Sequence, residues 1–182
     1  QGTVPTAVDA VVDIVRDQAG IPHIFADNDA DLFLGLGVAM AQDRLWQLDY
    51  LRRKANGRLA EILGADALPQ DILSRTVGLH RIAAQEVTQL PAATVHLLKA
   101  LARGINLVME GSRDHLPIEF VLLDYAPEPW QPVDTVAIWV EFRWYLTGRL
   151  PVIALPELAR RTLGDEQLFR AFLTPEAGEE SI

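Results

Sequence analysis

The sequence predicts an α+β chain that is mostly α-helical, with a short β-hairpin near its N-terminus. Residues 8–26 carry β-branched and alternating apolar positions (Val8, Val11, Val12, Ile14, Val15, then Ile21, Ile24, Phe25) around the turn signal RDQAG. Beyond Asn28 the apolar residues recur at helical spacing instead. Glycines and prolines then divide that helical stretch into segments.

Asp27 or Asn28 is placed to cap the first helix, and Gly57 to end it. Within it Leu32, Leu36, Met40, Leu48 and Leu51 recur at three- to four-residue multiples. RLAEILG reads as a short helix ended by Gly64, and PQDILSRTVG (69–78) as another opened by proline. Residues 79–90 and 91–110 read as a helical pair, with Pro91 in the first turn of the second. LPIEFVLLDYAPEPWQP (116–132) contains four prolines, so its second half is expected to be an extended connector. Pro132 then opens an apolar helix over 132–147, with Asp134 in its first turn and Gly148 after its end. Residues 151–173 are helical in pattern, with an interruption expected at Pro156. TPEAGEESI (174–182) is acidic and lacks an apolar anchor, so the tail is expected to fray. No internal repeat is visible, and the expected organisation is one domain over 1–182, with strands in 8–26 and helices in 28–173.

The 182 residues suffice for one core. A net charge of −9 gives no basic footprint for nucleic acid or an anionic membrane. The absence of cysteine excludes a thiol nucleophile, a disulfide framework and a thiolate zinc site. No apolar run reaches the roughly 18–20 residues of a membrane span. The start, QGTVPTAVDAVVDIVRDQ, has no basic region followed by an apolar one, so any signal peptide is expected to have been removed. One feature sits badly with a free-standing acidic protein. Mean hydropathy is +0.12, and VDTVAIWVEFRWYL (133–146) is apolar around most of its circumference, as in a helix buried on all sides. Either another chain covers much of this surface, or the domain has a generous core of its own.

Individual residues offer little chemistry. His23, His80, His96 and His115 are scattered, without metal-ligand spacing. GLGVA (35–39) is a lone G–x–G inside a helix, read as a close-packing device and not as a phosphate loop. Ser74, Ser112 and Ser181 sit in no nucleophile-elbow context. The stretch AQDRLWQLDYLRRKANG is richer, with Asp43, Asp49, Arg44, Arg52, Arg53 and Lys54 on one helix. Asp49 and Arg53 stand four apart with the acid first, the favourable order for a helical ion pair. Asp43 and Arg44 are adjacent and point in different directions. The dominance of arginine favours a scaffold helix with buried guanidinium forks over a solvated face, and without a nucleophile it is not read as catalytic.

These residues also carry a resemblance. VRDQAGIPHIFADNDADLFLGLGVAMAQDRLWQLDYLRRKANGRLAEILG resembles the start of the α chain of penicillin acylases, N-terminal-nucleophile amidohydrolases whose relatives include cephalosporin and acyl-homoserine-lactone acylases. The likeness continues through DILSRTVGLHRIA, LKALARGIN, LPIEFVLLDYAPEPWQPVDTVA and YLTG, in family order over about residues 14–150, and is loose thereafter. It implies a precursor that cuts itself and leaves this small α chain bound to a much larger β chain. The β chain's first residue, usually serine, would attack a small-molecule acyl amide, with its own α-amine as base. The assembled fold would be an αββα sandwich. Such a nucleophile is an N-terminal Ser, Thr or Cys, whereas this chain begins with Gln1, so no catalytic residue is expected on it.

The resemblance also implies site residues. In the family the late α-chain helix and the turn after it line and gate the acyl pocket, which places Phe142, Tyr145 and Leu146 there, with Trp144 beside them. An apolar pocket with one hydroxyl suits an acyl group, although the same aromatics would serve as interface core. The best-known penicillin acylases have an arginine near the Tyr145 position, so the preferred substrate need not be penicillin G. Many members hold a structural calcium ion between the chains, for which Glu157 is the nearest candidate here. No cofactor for catalysis is implied, and no nucleic-acid or membrane partner. A periplasmic or secreted location is expected. Two alternatives remain: an acyl-homoserine-lactone acylase with a pocket for aliphatic chains, and a non-catalytic helical interaction module.

Overall fold

The structure is a computed structural model that describes residues 10–147 and 149–173. The expectations for Val8, Gly148 and the 174–182 tail therefore lie outside the described residues. The chain divides into two compact units, one ending at Glu141 and the other beginning at Phe142.

The first unit opens with the hairpin: strands β1 (Asp13–Arg16) and β2 (Pro22–Phe25) pair antiparallel, Ile14 opposite Ile24. Its turn is held by the Asp17 carboxylate, which accepts from the Ala19 and Ile21 N–H groups, both at 2.9 Å. Gly20 takes the left-handed conformation (φ 80°) that brings the chain round. Those hydrogen bonds to the charged form, that from the Ile21 backbone foremost, hold the Asp17 carboxyl below its usual value.

Helix α1 (Asp29–Asn56) is capped by Asn28, whose side chain accepts from Asp31 N at 2.9 Å, and is closed by Gly57 at φ 64°. It bends at Arg44 (φ −144°, ψ 31°). The residues that recur at helical spacing along it are only partly inside. Leu48 is buried, but Leu32, Leu36 and Met40 lie exposed. The buried face instead runs through Leu34, Gly35, Gly37, Ala41, Leu45 and Leu48. Small residues occupy it because α1 approaches α5 (Ala92–Gly111) too closely for larger ones: a Cβ on Gly37 would meet the Leu101 carbonyl. The G–x–G is thus a packing device, as its sequence suggests.

After α1 come α2 (Ala60–Leu63), a 3₁₀ turn (Ala65–Ala67), α3 (Leu68–Val77) and α4 (Leu79–Gln89). Asp71 of α3 accepts from the N–H groups of Leu59 (2.9 Å) and Ala60 (2.8 Å), supplying α2 with a cap that its own sequence lacks. Gly78 ends α3 at φ 83°. Pro91 sits immediately before α5, at its N-cap position, and not within the first turn. The core cluster joins Leu45 and Leu48 of α1 to Leu101, Ile105 and Met109 of α5. Phe120, from the short α6 (Ile118–Leu122), and Trp130, from the connector that follows, complete it. That connector is clipped to α5 by Asn106, which accepts from Trp130 N at 2.6 Å and donates to its carbonyl at 3.0 Å.

Helix α7 (Pro132–Leu146) starts at the expected proline, with the Asp134 carboxylate accepting from Gln131 N at 2.8 Å. Val136, Ala137 and Val140 are buried, but Trp139 is 58% exposed, so among the described residues the apolar helix is buried along one face and open at Trp139.

In the second unit α8 (Arg149–Leu163) contains Pro156 inside it and is followed by α9 (Glu166–Leu173). The interruption expected at Pro156 falls instead at Gly164 (φ 62°). A proline removes one rung of the helical ladder, which a helix with intact turns on either side survives. Among the described residues no helix is long and apolar enough to cross a membrane.

Candidate functional site

The most developed polar site of the first unit is built around Asp49, whose carboxylate has no solvent exposure. Its position on α1, three and four residues before Arg52 and Arg53, puts both guanidinium groups on the same helix face. Oδ1 accepts from Arg52 Nε and Oδ2 from Arg53 Nε, each at 2.8 Å. Oδ2 also accepts from the Tyr125 hydroxyl at 2.9 Å. Arg52 reaches on to the Glu128 carbonyl at 2.7 Å and stacks over the Trp130 ring, and Arg53 lies over the Tyr125 ring.

An outer ring continues the network. Arg53 donates to Glu61 at 2.9 Å, while Arg58 bridges Glu61 (2.8 Å) and Glu128 (2.7 Å). Asp134 approaches Arg52 at 3.5 Å. Arg52, Arg53, Arg58, Glu128 and Asp134 are among the residues that line an open recess of about 350 Å³ beside these pairs.

The electrostatics follow from burial and pairing. Burial disfavours the Arg53 cation, but the Asp49 hydrogen bond and charge outweigh it and hold its pKa above the ordinary value. The Arg58 guanidinium lowers the carboxyls of both Glu61 and Glu128, and they raise Arg58 in return. Burial, reinforced by the neighbouring Asp49 charge, pushes the Tyr125 phenol well up. Asp134 is raised by burial, against the Gln131 N–H and Arg52, which pull it down. No nucleophile stands in this network. Its chemistry is fastening: it ties α1, the turn into α2, the connector and the start of α7 together. The fork of Asp49 with Arg53 was legible in the sequence, as was a second guanidinium beside it. Tyr125, Glu128, Arg58 and Glu61 were not singled out there.

Asp43 serves the hairpin. It receives both guanidinium nitrogens of Arg16, at 2.7 and 3.0 Å.

The expected pocket residues lie on the last turns of α7. Phe142 (49% exposed), Tyr145 (49%) and Leu146 (63%) stand at i, i+3 and i+4 and so share one helix face, whereas Trp144 is half-buried. Glu157 lies on α8, where its carboxylate accepts from Arg160 (2.9 Å) and Arg161 (2.7 Å). The Arg160 and Arg161 guanidinium groups lower its carboxyl to about 2. Among the described residues no group of three or more histidines and acids is gathered as a metal site.

A family model described as penicillin amidase matches residues 11–178. The chain belongs to the penicillin amidase family. Among relatives in this family, penicillin acylase 2 proenzyme from Pseudomonas sp. (strain SE83) is 43% identical over 129 residues, 71% of this chain and 16% of that protein. Acyl-homoserine lactone acylase QuiP from Pseudomonas aeruginosa is 34% identical over 172 residues, 94% of this chain and 20% of that protein. The chain thus spans no more than about a fifth of the length of these two relatives. A solved structure of thermostable penicillin G acylase from Alcaligenes faecalis superposes with a TM-score of 0.78 at 30% identity, over 94% of this chain and 96% of that one. The helical chain with its short hairpin is therefore an architecture found in a penicillin acylase.

Proposed function

We propose that this chain is the small α subunit of a penicillin-acylase-like amidohydrolase, incomplete without a larger β subunit cut from the same precursor. The observation that carries the reading is a contrast of lengths. The chain corresponds to 96% of one solved penicillin G acylase chain but only 16% of a relative named as a proenzyme. Unmet apolar surface supports it: Leu32, Leu36 and Met40 form one exposed stripe on α1, and Val15 and Phe25 are exposed on the hairpin. In the assembly the helices and hairpin join the β chain in an αββα sandwich.

The reaction is hydrolysis of a linear amide to a carboxylic acid and an amine. The β chain's N-terminal hydroxyl adds to the amide carbonyl as the α-amine takes its proton. The amine then leaves with a proton, and water hydrolyses the resulting ester. Phe142, Tyr145 and Leu146, with Trp144 beside them, contribute apolar wall or gate to the acyl pocket. A structural calcium ion held partly by Glu157 would displace Arg160 and Arg161 and draw its remaining oxygen ligands from the β chain. The enzyme works in the periplasm or outside the cell.

A second reading has its own support. The relative named as an acyl-homoserine lactone acylase aligns over 94% of this chain, against 71% for the penicillin acylase 2 proenzyme. An assay of the mature enzyme on phenylacetyl amides and on N-acyl-homoserine lactones of graded chain length decides between them. Preference for the arylacetyl amide supports the first reading, preference for long aliphatic lactones the second. Hydrolysis of neither overturns both.

A further inference from the structure

Lys54 and Glu141 form an ion pair between the end of α1 and α7, with Nζ and Oε1 2.7 Å apart. The Glu141 side chain is 10% accessible and that of Lys54 25%, so the pair is largely out of water. Removing two charges from water costs several kcal/mol, which attraction recovers only in good geometry. An apolar pair would fill such a position more cheaply but without direction.

Both ends are prepared for a fixed geometry. The Lys54 backbone carbonyl accepts from Ser74 Oγ at 2.9 Å and from Gly57 N at 3.3 Å, so the root of the side chain is held. On α7, Val136, Ala137, Val140 and Glu141 are buried, and Glu141 is the last buried residue described on this helix. It is also the last residue of the first compact unit. Phe142 follows directly and is exposed.

We propose that Lys54 and Glu141 are a positioning pair: their ion pair fixes the rotation and height of α7 one residue before Phe142, and so places Phe142, Tyr145 and Leu146 against the acyl group of the substrate. The inference rests on the α-subunit reading above. Along a helix each residue follows its neighbour by about 100° and 1.5 Å, so an error at Glu141 passes undiminished to the next turn. A misplacement of about 1 Å in a positioning element costs up to about 100-fold in rate. Neither residue touches substrate. The effect should therefore grow with the size of the acyl group and vanish for the smallest one.

The test uses the mature enzyme from the full-length gene, with Glu141→Gln, Lys54→Met and the reversed pair Lys54→Glu/Glu141→Lys. Substrates share one amine and carry either an acetyl or a phenylacetyl or octanoyl group. The expected result for each single variant is a rise of about fivefold or more in KM for the large acyl group. With the acetyl amide, kcat should stay within about twofold of the parent enzyme. The reversed pair should recover at least half of the lost discrimination, on a logarithmic scale. Should Glu141→Gln fail to mature, Glu141→Asp, which keeps the charge but shortens the reach, should show the same split in weaker form. Unchanged discrimination in an active variant overturns the positioning role and leaves the enzyme assignment intact. A parent enzyme that hydrolyses none of these amides overturns the assignment, and the inference with it.

Discussion

Gly37 of α1 and Gly104 of α5 are reciprocal. A Cβ on Gly37 would strike the Leu101 carbonyl of α5, and a Cβ on Gly104 would strike the Leu34 carbonyl of α1. The two backbones therefore meet at a crossing that tolerates no side chain, directly above the cluster of Leu45, Leu48, Leu101 and Ile105. Gly104→Val should force the helices apart and destabilise the protein by about 3 kcal/mol or more, at the upper end of overpacking penalties. Thermal unfolding of the mature enzyme measures it. A shift in Tm of less than about 2 °C would mean that the helices re-pack freely.

Asp49 is the residue whose loss should cost most among the charged groups. Asp49→Ala strands two buried guanidinium groups and the Tyr125 hydroxyl, a change of about 3–5 kcal/mol. Arg53→Ala should act in the same direction. It should lower the yield of processed enzyme far more than it lowers turnover by the enzyme that does mature. Densitometry of processed and unprocessed chains, with active-site titration, separates the two effects. Normal processing with a selectively reduced kcat would contradict the scaffold role.

The Arg58 network predicts a particular acid response. Glu61 and Glu128 have folded pKa values below the ordinary 4.5. Their contribution is complete above that value and is lost as pH falls through the lowered folded values. Both carboxylates are about half exposed, so it is small. Arg58→Met should therefore be less stable than the parent at pH 7, by under about 1 kcal/mol, and the gap should close in acid. Asp134 works with the opposite sign: its raised pKa makes it stabilising at low pH, and this is lost as pH rises from 3.8 through the folded value. Denaturant midpoints of both proteins between pH 3 and 7 test this, and a gap that widens in acid would contradict it.

The hairpin is fastened to α1 by Arg16, which spans Asp43, Gln42 (3.3 Å) and the Gly20 carbonyl (3.0 Å). Because the pair is partly exposed, Arg16→Ala should cost only about 0.2–1 kcal/mol globally. Its signature is local. Amide exchange should accelerate across residues 13–25 while α5 stays protected, and uniform acceleration would show that the hairpin is not an independent unit.

Much of this architecture was readable because its signals are local. The Asn28 cap, the stops at Gly57 and Gly64, and the pairing of Asp49 with Arg53 all lie within a few residues of what they control. Arg52 to the Glu128 carbonyl and Tyr125 to Asp49 each span 76 residues, and no period marks such pairs. The same limit hid the capping of α2 by Asp71 and the partnership of Lys54 with Glu141. The spacing of the α1 leucines left a different question open: it identifies an apolar face but not whether small or large residues meet the neighbouring helix. Leu32, Leu36 and Met40 are on the outside because Gly37 makes the inside too tight.

If the α-subunit reading holds, this chain is one part of a processed enzyme. Intact mass and N-terminal sequencing of the protein purified from its full-length gene test it most directly. The expected result is a co-purifying chain several times larger that begins with Ser, Thr or Cys. A single uncut polypeptide, or a stable chain of 20.1 kDa with no partner, would contradict it.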